Sequence, residues 1–144
     1  MPRKKSGVAM RTNCSATIYN KYVVAGAEKY QRAVLVAVAW ENRKGSNIIR
    51  SGLLAADSVV VYVPFSIGTN YVAPRAWQAL ETKTGYWTLQ IDDVMVKGTV
   101  TDEISAEFTM TALKAKYDDV VRIKSVDTMD MGSVTMRHFQ VGAS

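Results

Sequence analysis

The side chains that could do chemistry are few in this sequence, and they are scattered. His138 is the single histidine and Cys14 the single cysteine. A nucleophile needs a base within hydrogen-bond reach and a further group that orients the base. No spacing motif joins positions 14 and 138, and His138 falls in the last β-prone run, where a strand residue with a local partner is expected. A zinc site draws most of its ligands from Cys and His, and this pair does not supply them. The acidic pairs Asp92–Asp93, Asp102–Glu103 and Asp118–Asp119 offer oxygens. A calcium loop, however, alternates its ligands along a longer stretch, and adjacent acids are ordinary at turns and helix starts. Glycine motifs that cradle phosphate are absent. The expectation is a protein with no catalytic residues, no metal and no cofactor, and therefore not an enzyme.

Charge is unevenly placed. Residues 1–27 hold Arg3, Lys4, Lys5, Arg11 and Lys21 and no acid, while from Glu28 onward basic and acidic side chains cancel. The net charge of +5 thus belongs to an N-terminal segment on a neutral body. Such an arm suits nucleic acid or an acidic protein surface, or serves only as a solvated tail. It lacks the interleaved aromatics of a nucleic-acid patch. The basic start is not followed by the apolar core of a signal peptide, a lone cysteine cannot form an intrachain disulfide, and no run reaches the roughly 18 apolar residues of a membrane helix. Synthesis and folding in a cytosol, without a membrane partner, is the expectation.

The elements that would position any site read as mainly β. Residues 17–23 form a short β-prone run. In 32–40, Val34, Val36, Val38 and Trp40 occupy one parity and Leu35, Ala37 and Ala39 the other, which predicts a strand covered on both sides. Residues 41–52 read as a polar connection, and the next strand ends at Pro64, which cannot donate to a central ladder. Residues 86–89 read as the start of another strand. Asp92–Asp93 and Lys97–Gly98 punctuate the chain. A single short helix is expected from Thr101, with Asp102 and Glu103 at its positive end and Ile104, Phe108 and Ala112 on one stripe. Residues 120–126 and 134–141 would pair antiparallel across a turn at 127–133. The sum is a small six- to seven-stranded antiparallel barrel or sandwich with one short helix. Its expected boundaries are a basic arm over 1–16 and a single β-barrel domain over 17–144.

Between the strand ending near Val63 and the one starting at Tyr86 lies a long segment with Pro64, Gly68, Pro74 and Gly85. Unstructured loops beyond about 12–15 residues are uncommon in compact domains. A disordered linker should be poor in aromatics, yet this one carries Phe65, Ile67, Tyr71, Val72 and Trp77. It is expected to project and touch something. The alternative is that Tyr71 and Trp77 fold back over an open barrel end.

The stretch "YQRAVLVAVAWENRKGSNIIRSGLLAADSVVVYVPF", then "YWTLQIDDVMVKGTV", a short helix, "VVRIKSV" and "GSVTMRHFQVG" resembles the small head–tail joining proteins of long-tailed bacteriophages. These are the stopper, head-completion or head-closure proteins, minor structural components of the virion. The resemblance covers roughly residues 17–142 and is one of order and texture: a strand ending in tyrosine-valine-proline, an aspartate before valine-lysine-glycine, and a glycine-serine leading to a late histidine. It implies a compact β-barrel forming a homo-oligomeric, hexameric ring in the phage neck, assembled in the bacterial host cytoplasm. The ring would sit between the portal or adaptor ring and the tail terminator or tail tube, with double-stranded DNA passing through its lumen. On that reading Phe65, Ile67, Tyr71, Val72 and Trp77 are inter-subunit anchors. Arg75 is the candidate polar contact to a neighbour or to DNA, and Arg3, Lys4, Lys5 and Arg11 form the basic arm. A tail terminator or another neck protein fits the same texture. A different class, an oligonucleotide-binding β-barrel stacking bases on the aromatics of "GYWTLQ", is opposed by the balanced charge of the body.

Overall fold

The computed structural model describes residues 11–43 and 58–144. Six strands there close into a barrel: β1 (Cys14–Val24), β2 (Ala27–Arg43), β3 (Ser58–Pro64), β4 (Val94–Lys97), β5 (Val120–Met129) and β6 (His138–Ala143). Around the barrel the order is β1-β2-β3-β6-β5-β4, with β4 returning to β1 and every neighbour antiparallel. The expected mainly β barrel is the fold formed. Its first strand starts at Cys14, inside the stretch assigned to the arm. The connection expected over 41–52 lies largely outside the described residues.

Two bulges make the barrel out of two sheets. β2 pairs with β1 up to Val38 and with β3 from Ala39, and β5 leaves β4 at Arg122 to run beside β6. Each switch coincides with a register shift. Ala16 pairs Leu35 but Cys14 pairs Val38, and Ile123 pairs Ala143 but Ser125 pairs Gly142. An extra residue in one strand bends it and moves its inward face to the other parity. That corrects the expectation that residues 32–40 are covered on both sides. Leu35 points inward before the bulge, Val38 and Trp40 after it, and Val36 is left 70% exposed. Gly142 serves the second bulge, since a Cβ there would lie 2.6 Å from the Ser125 hydroxyl.

The β1–β2 turn consists of Ala25 and Gly26, both at positive φ (52° and 81°), the pairing that matches strand twist in a two-residue hairpin. Ala16 and Ile18 of β1 and Met95 of β4 face the barrel interior. The other parity, Tyr19, Val94 and Val96, is buried under Val100 and Leu113. This second layer comes from residues 98–117, which the Thr17 hydroxyl ties down by donating to Gly98 O and accepting from Val100 N, both at 2.8 Å.

Helix is shorter and differently placed than expected. α1 (Pro74–Ala79) lies in the long segment, and α2 (Met110–Lys116) starts at Thr109, whose hydroxyl accepts from Ala112 N at 3.2 Å. Thr101 starts no helix. Tyr19 donates its hydroxyl to Asp102 O at 2.7 Å, the Asp102 carboxylate binds Lys116 and Tyr117, and Glu103 binds Arg32. These tertiary ties hold the first acidic residues where a first helical turn would otherwise form. Residues 86–89 form no ladder strand either; Trp87 makes an isolated parallel bridge with Tyr71.

β4 pairs with β1 only from Ala16 to Tyr19, so the β1 edge beyond Tyr19 lacks a strand neighbour. Side chains replace it. Buried Asn20 donates to Thr88 O (2.8 Å) and to Asp93 Oδ2 (2.7 Å), and accepts from Thr88 N (3.0 Å). Asp93 also accepts from Lys21 N (3.0 Å) and from the Gln90 amide (2.8 Å). Replacing Asn20 by Ala strands several buried polar groups at about 1–3 kcal/mol each. We expect Asn20→Ala to lower the Tm by roughly 6–12 °C, read in a thermal melt. A fall of under a degree or two would show that the contact is dispensable.

Burial raises the Asp93 carboxyl above its ordinary value, against the lowering effect of its hydrogen bonds to Gln90, Lys21 N and Asn20. A raised folded-state pKa means the folded chain holds the proton more tightly than the unfolded one. The resulting stability is present below the unfolded pKa and is lost as pH rises through the folded one. The Tm advantage of the wild type over Asp93→Asn should therefore be larger near pH 4 than at neutrality, and a difference independent of pH would contradict the assignment.

Candidate interaction surfaces

The segment from Phe65 to Asp93 is a plug for one barrel end. It opens with a 3-10 turn (Phe65–Ile67) closed by Gly68 N donating to Phe65 O at 2.8 Å. Pro74, with its preset φ and no N–H to waste, sits in the first turn of α1. The chain then returns antiparallel to nothing, held by Val72 N to Trp87 O (2.9 Å) and Trp87 N to Asn70 O (3.1 Å). Trp87 and Leu89 enter the main core, and Phe65, Ile67 and Tyr71 pack against it. Ring centroids of Tyr71 lie 4.6 Å from Phe139 and 5.3 Å from Trp87, and Phe65 is 4.8 Å from Phe139.

Trp77 corrects the expectation that the segment's side chains reach out to other chains. Trp77 is fully buried, edge-on to Tyr22 at 5.8 Å, with the Lys83 ammonium 5.1 Å over its ring and its indole N–H donated to Tyr86 O at 3.3 Å. Phe65, Ile67 and Tyr71 are half-buried against their own barrel, and Val72 is half-buried. An open barrel end exposes apolar strand residues, and covering them within the chain requires no partner. Arg75, by contrast, is exposed. Arg11 is exposed as well, and Arg3, Lys4 and Lys5 lie outside the described residues. In "GYWTLQ" the Trp87 ring is buried and Tyr86 is 42% exposed, so the stretch presents no row of stacking rings.

The chemistry-bearing residues are not brought together. Cys14 stands at the start of β1 and His138 at the start of β6, and two strands separate β1 from β6 either way round the barrel. Burial pushes the Cys14 thiol up, away from the reactive thiolate. The His138 Nδ1 lies 2.8 Å from Met136 O, and its ring meets Tyr62 edge-on. Among the described residues no group of three His, Cys, Asp or Glu could hold a metal ion.

What the sequence reading passed over is apolar surface outside the plug. Met129, Met131, Val134 and Met136 are 38%, 85%, 72% and 44% exposed, all in or beside the β5–β6 hairpin. The signal was the density of methionine in "MDMGSVTM", a stretch that reads as a mere turn when glycine and aspartate are weighed first. Val36 and Ile91 are also exposed. Contiguous exposed apolar side chains mark interaction surfaces.

With Trp77 in the core, Trp77→Ala should destabilise the isolated chain by roughly 3–5 kcal/mol and lower its Tm by on the order of 10 °C. A melt that does not move would return Trp77 to the surface.

Matching the chain to known families places residues 11–144 in one that carries no functional description. No curated protein and no solved structure matches the chain. The match starts where the described residues start, leaving Arg3, Lys4 and Lys5 outside it, and it takes in all six strands, the plug and the methionine hairpin. The chain belongs to the family of unknown function DUF6751.

Proposed function

We propose that the chain is a structural subunit of a bacteriophage neck, a head–tail connector of the stopper or head-closure kind. It would assemble as a ring between the portal or adaptor ring and the tail, and would help retain packaged DNA. The observation that carries this reading is the exposed methionine hairpin of β5–β6 on a barrel whose own core is already closed by the plug. A subunit that mates with chains above, below and beside it needs apolar surface beyond its own core, and flexible thioethers adapt to unlike partners. The resemblance in order of elements to head–tail joining proteins supports the same reading. Arg75, exposed on the plug helix, is the candidate polar contact to a neighbour or to DNA in the lumen.

A stopper acts after packaging, so capsids should fill without it. Packaged DNA is dense with like charge and leaves through an open neck. Disrupting the gene should yield capsids that leak DNA beside free, complete tails in electron micrographs of lysates. Normal tailed particles that keep their DNA would refute the assignment. DNA-free capsids with tails attached would move the protein to an earlier step.

A further inference from the structure

A barrel assembled from two sheets abandons strand edges wherever a strand changes neighbours, and an abandoned edge presents unpaired N–H and C=O groups. This barrel seals two such edges. Beside β2 after it leaves β1, Asn13 substitutes for a strand: its N–H donates to Val38 O at 2.9 Å, and its side chain exchanges bonds with the Trp40 main chain at 2.9 and 3.0 Å. Where β5 begins, Arg122 and Ser144 exchange main-chain bonds at 2.9 and 3.1 Å. Two edges stay open among the described residues. One is β2 over 27–37 on the side away from β1, and the other is β5 over 125–129 on the side away from β6. Neither has a main-chain partner there.

The open edges are unlike. The β2 edge borders a cleft of about 410 Å³ whose wall includes Val34, Val36, Ile67 and Trp87. The bulge turns Val36 outward beside it. The β5 edge runs into Met129 and Met131, with Val134 and Met136 next to them. Charge differs too. On β2, Glu28 is paired with Lys21 and Arg32 with Glu103, and exposed Lys29 forms no salt bridge among the described residues. On β5, Asp127 and Asp130 are exposed and form no salt bridge among the described residues, and Lys124 lies at the far end in the bulge.

We propose that the β2 edge of one copy of this chain pairs, main chain to main chain, with the β5 edge of the next. With the two strands parallel and Asp127 beside Lys29, Asp130 lies one turn of the pleat further on, and Met129 and Met131 run toward the cleft at Val34 and Val36. Two β5 edges would set aspartates against aspartates, and two β2 edges would set Lys29 against Lys29, so the unlike pairing is the favoured one. A contact between unlike surfaces repeats head to tail and closes into a ring where the rotation permits. The inference rests on the reading of the chain as a ring subunit and names the surfaces that build the ring.

The test uses charge exchange in the full chain, followed by sedimentation velocity up to millimolar concentration. Variant one carries Asp127→Lys and Asp130→Lys, and variant two carries Lys29→Asp. All three positions are exposed, and unchanged melting curves check the fold. The wild type should associate beyond a dimer, and each variant alone should associate on the order of tenfold more weakly or worse. An equal mixture should regain wild-type association, because every junction then joins opposite charges. Loss of a structural role would not be rescued by mixing. A wild type that stays monomeric, variants that associate normally, or a mixture that stays apart would each overturn the pairing, while the neck reading keeps its separate test in lysates. Restored association in a protein whose loss leaves virions intact would keep the pairing and remove the neck.

Discussion

The fold turns on one buried amide. β4 contributes only four residues to the barrel, so β1, which runs on to Val24 beside β2, has no strand on its other side beyond Tyr19, just where the barrel end must be closed. Asn20 occupies the first unpaired position and binds both the N–H and the C=O of Thr88, as a facing strand would. The flanking residues Trp87 and Leu89 are thereby directed into the core. The same amide holds Asp93, whose carboxylate takes the next free N–H of β1 at Lys21. Gln78 and Gln90 complete the cover on Lys21 O. A buried polar network is stabilising when each member finds a partner, and here it also sets the register of the plug against the barrel.

That register decides which surfaces remain free. The plug occupies one barrel end, and residues 98–117 cover the outer face of β1 and β4. Apolar side chains remain exposed at the end of β1 and at Tyr86 and Ile91 of the plug, and the densest group of them is on the β5–β6 hairpin. The asymmetry is a consequence of connection lengths. β3–β4 and β4–β5 are long enough to fold back over the barrel, and the plug so formed reaches the β1–β2 hairpin at Lys21 and Tyr22, whereas the end of the β5–β6 hairpin is left exposed among the described residues.

The class of fold was legible because β-branched runs bounded by turn residues carry their signal locally. Details that depend on distant residues were not. The alternation in 32–40 looked like a strand buried on both sides because a bulge exchanged inward and outward parities partway along it, and nothing in the run itself distinguishes those cases. The helix expected at Thr101 had a capping residue and acids in the right order. Partners far away in sequence, Tyr19 and Arg32, hold its first residues instead. Trp77 was legible as a residue that must be covered, while what covers it, Tyr22 and Lys83, depends on the β1 hairpin arriving beside α1. Aromatics drew attention to the plug, and the methionines of the hairpin, lower in β propensity and set among turn residues, drew none.

The placement of methionine rather than leucine on that hairpin is physically informative. A rigid branched side chain exposed at the tip of a two-stranded ribbon serves a single, shape-matched partner. An unbranched thioether repacks against surfaces of different shape at small energetic cost. Met129, Met131 and Met136 flank a left-handed Gly132 at φ 86°, which permits the tight turn that presents them together. Beside them, exposed Asp127 and Asp130 would set like charge against like charge if two such ribbons met edge to edge. The combination of adaptable apolar contact and a like-charge veto is what head-to-tail assembly asks of an edge that must accept a different surface and reject a copy of itself.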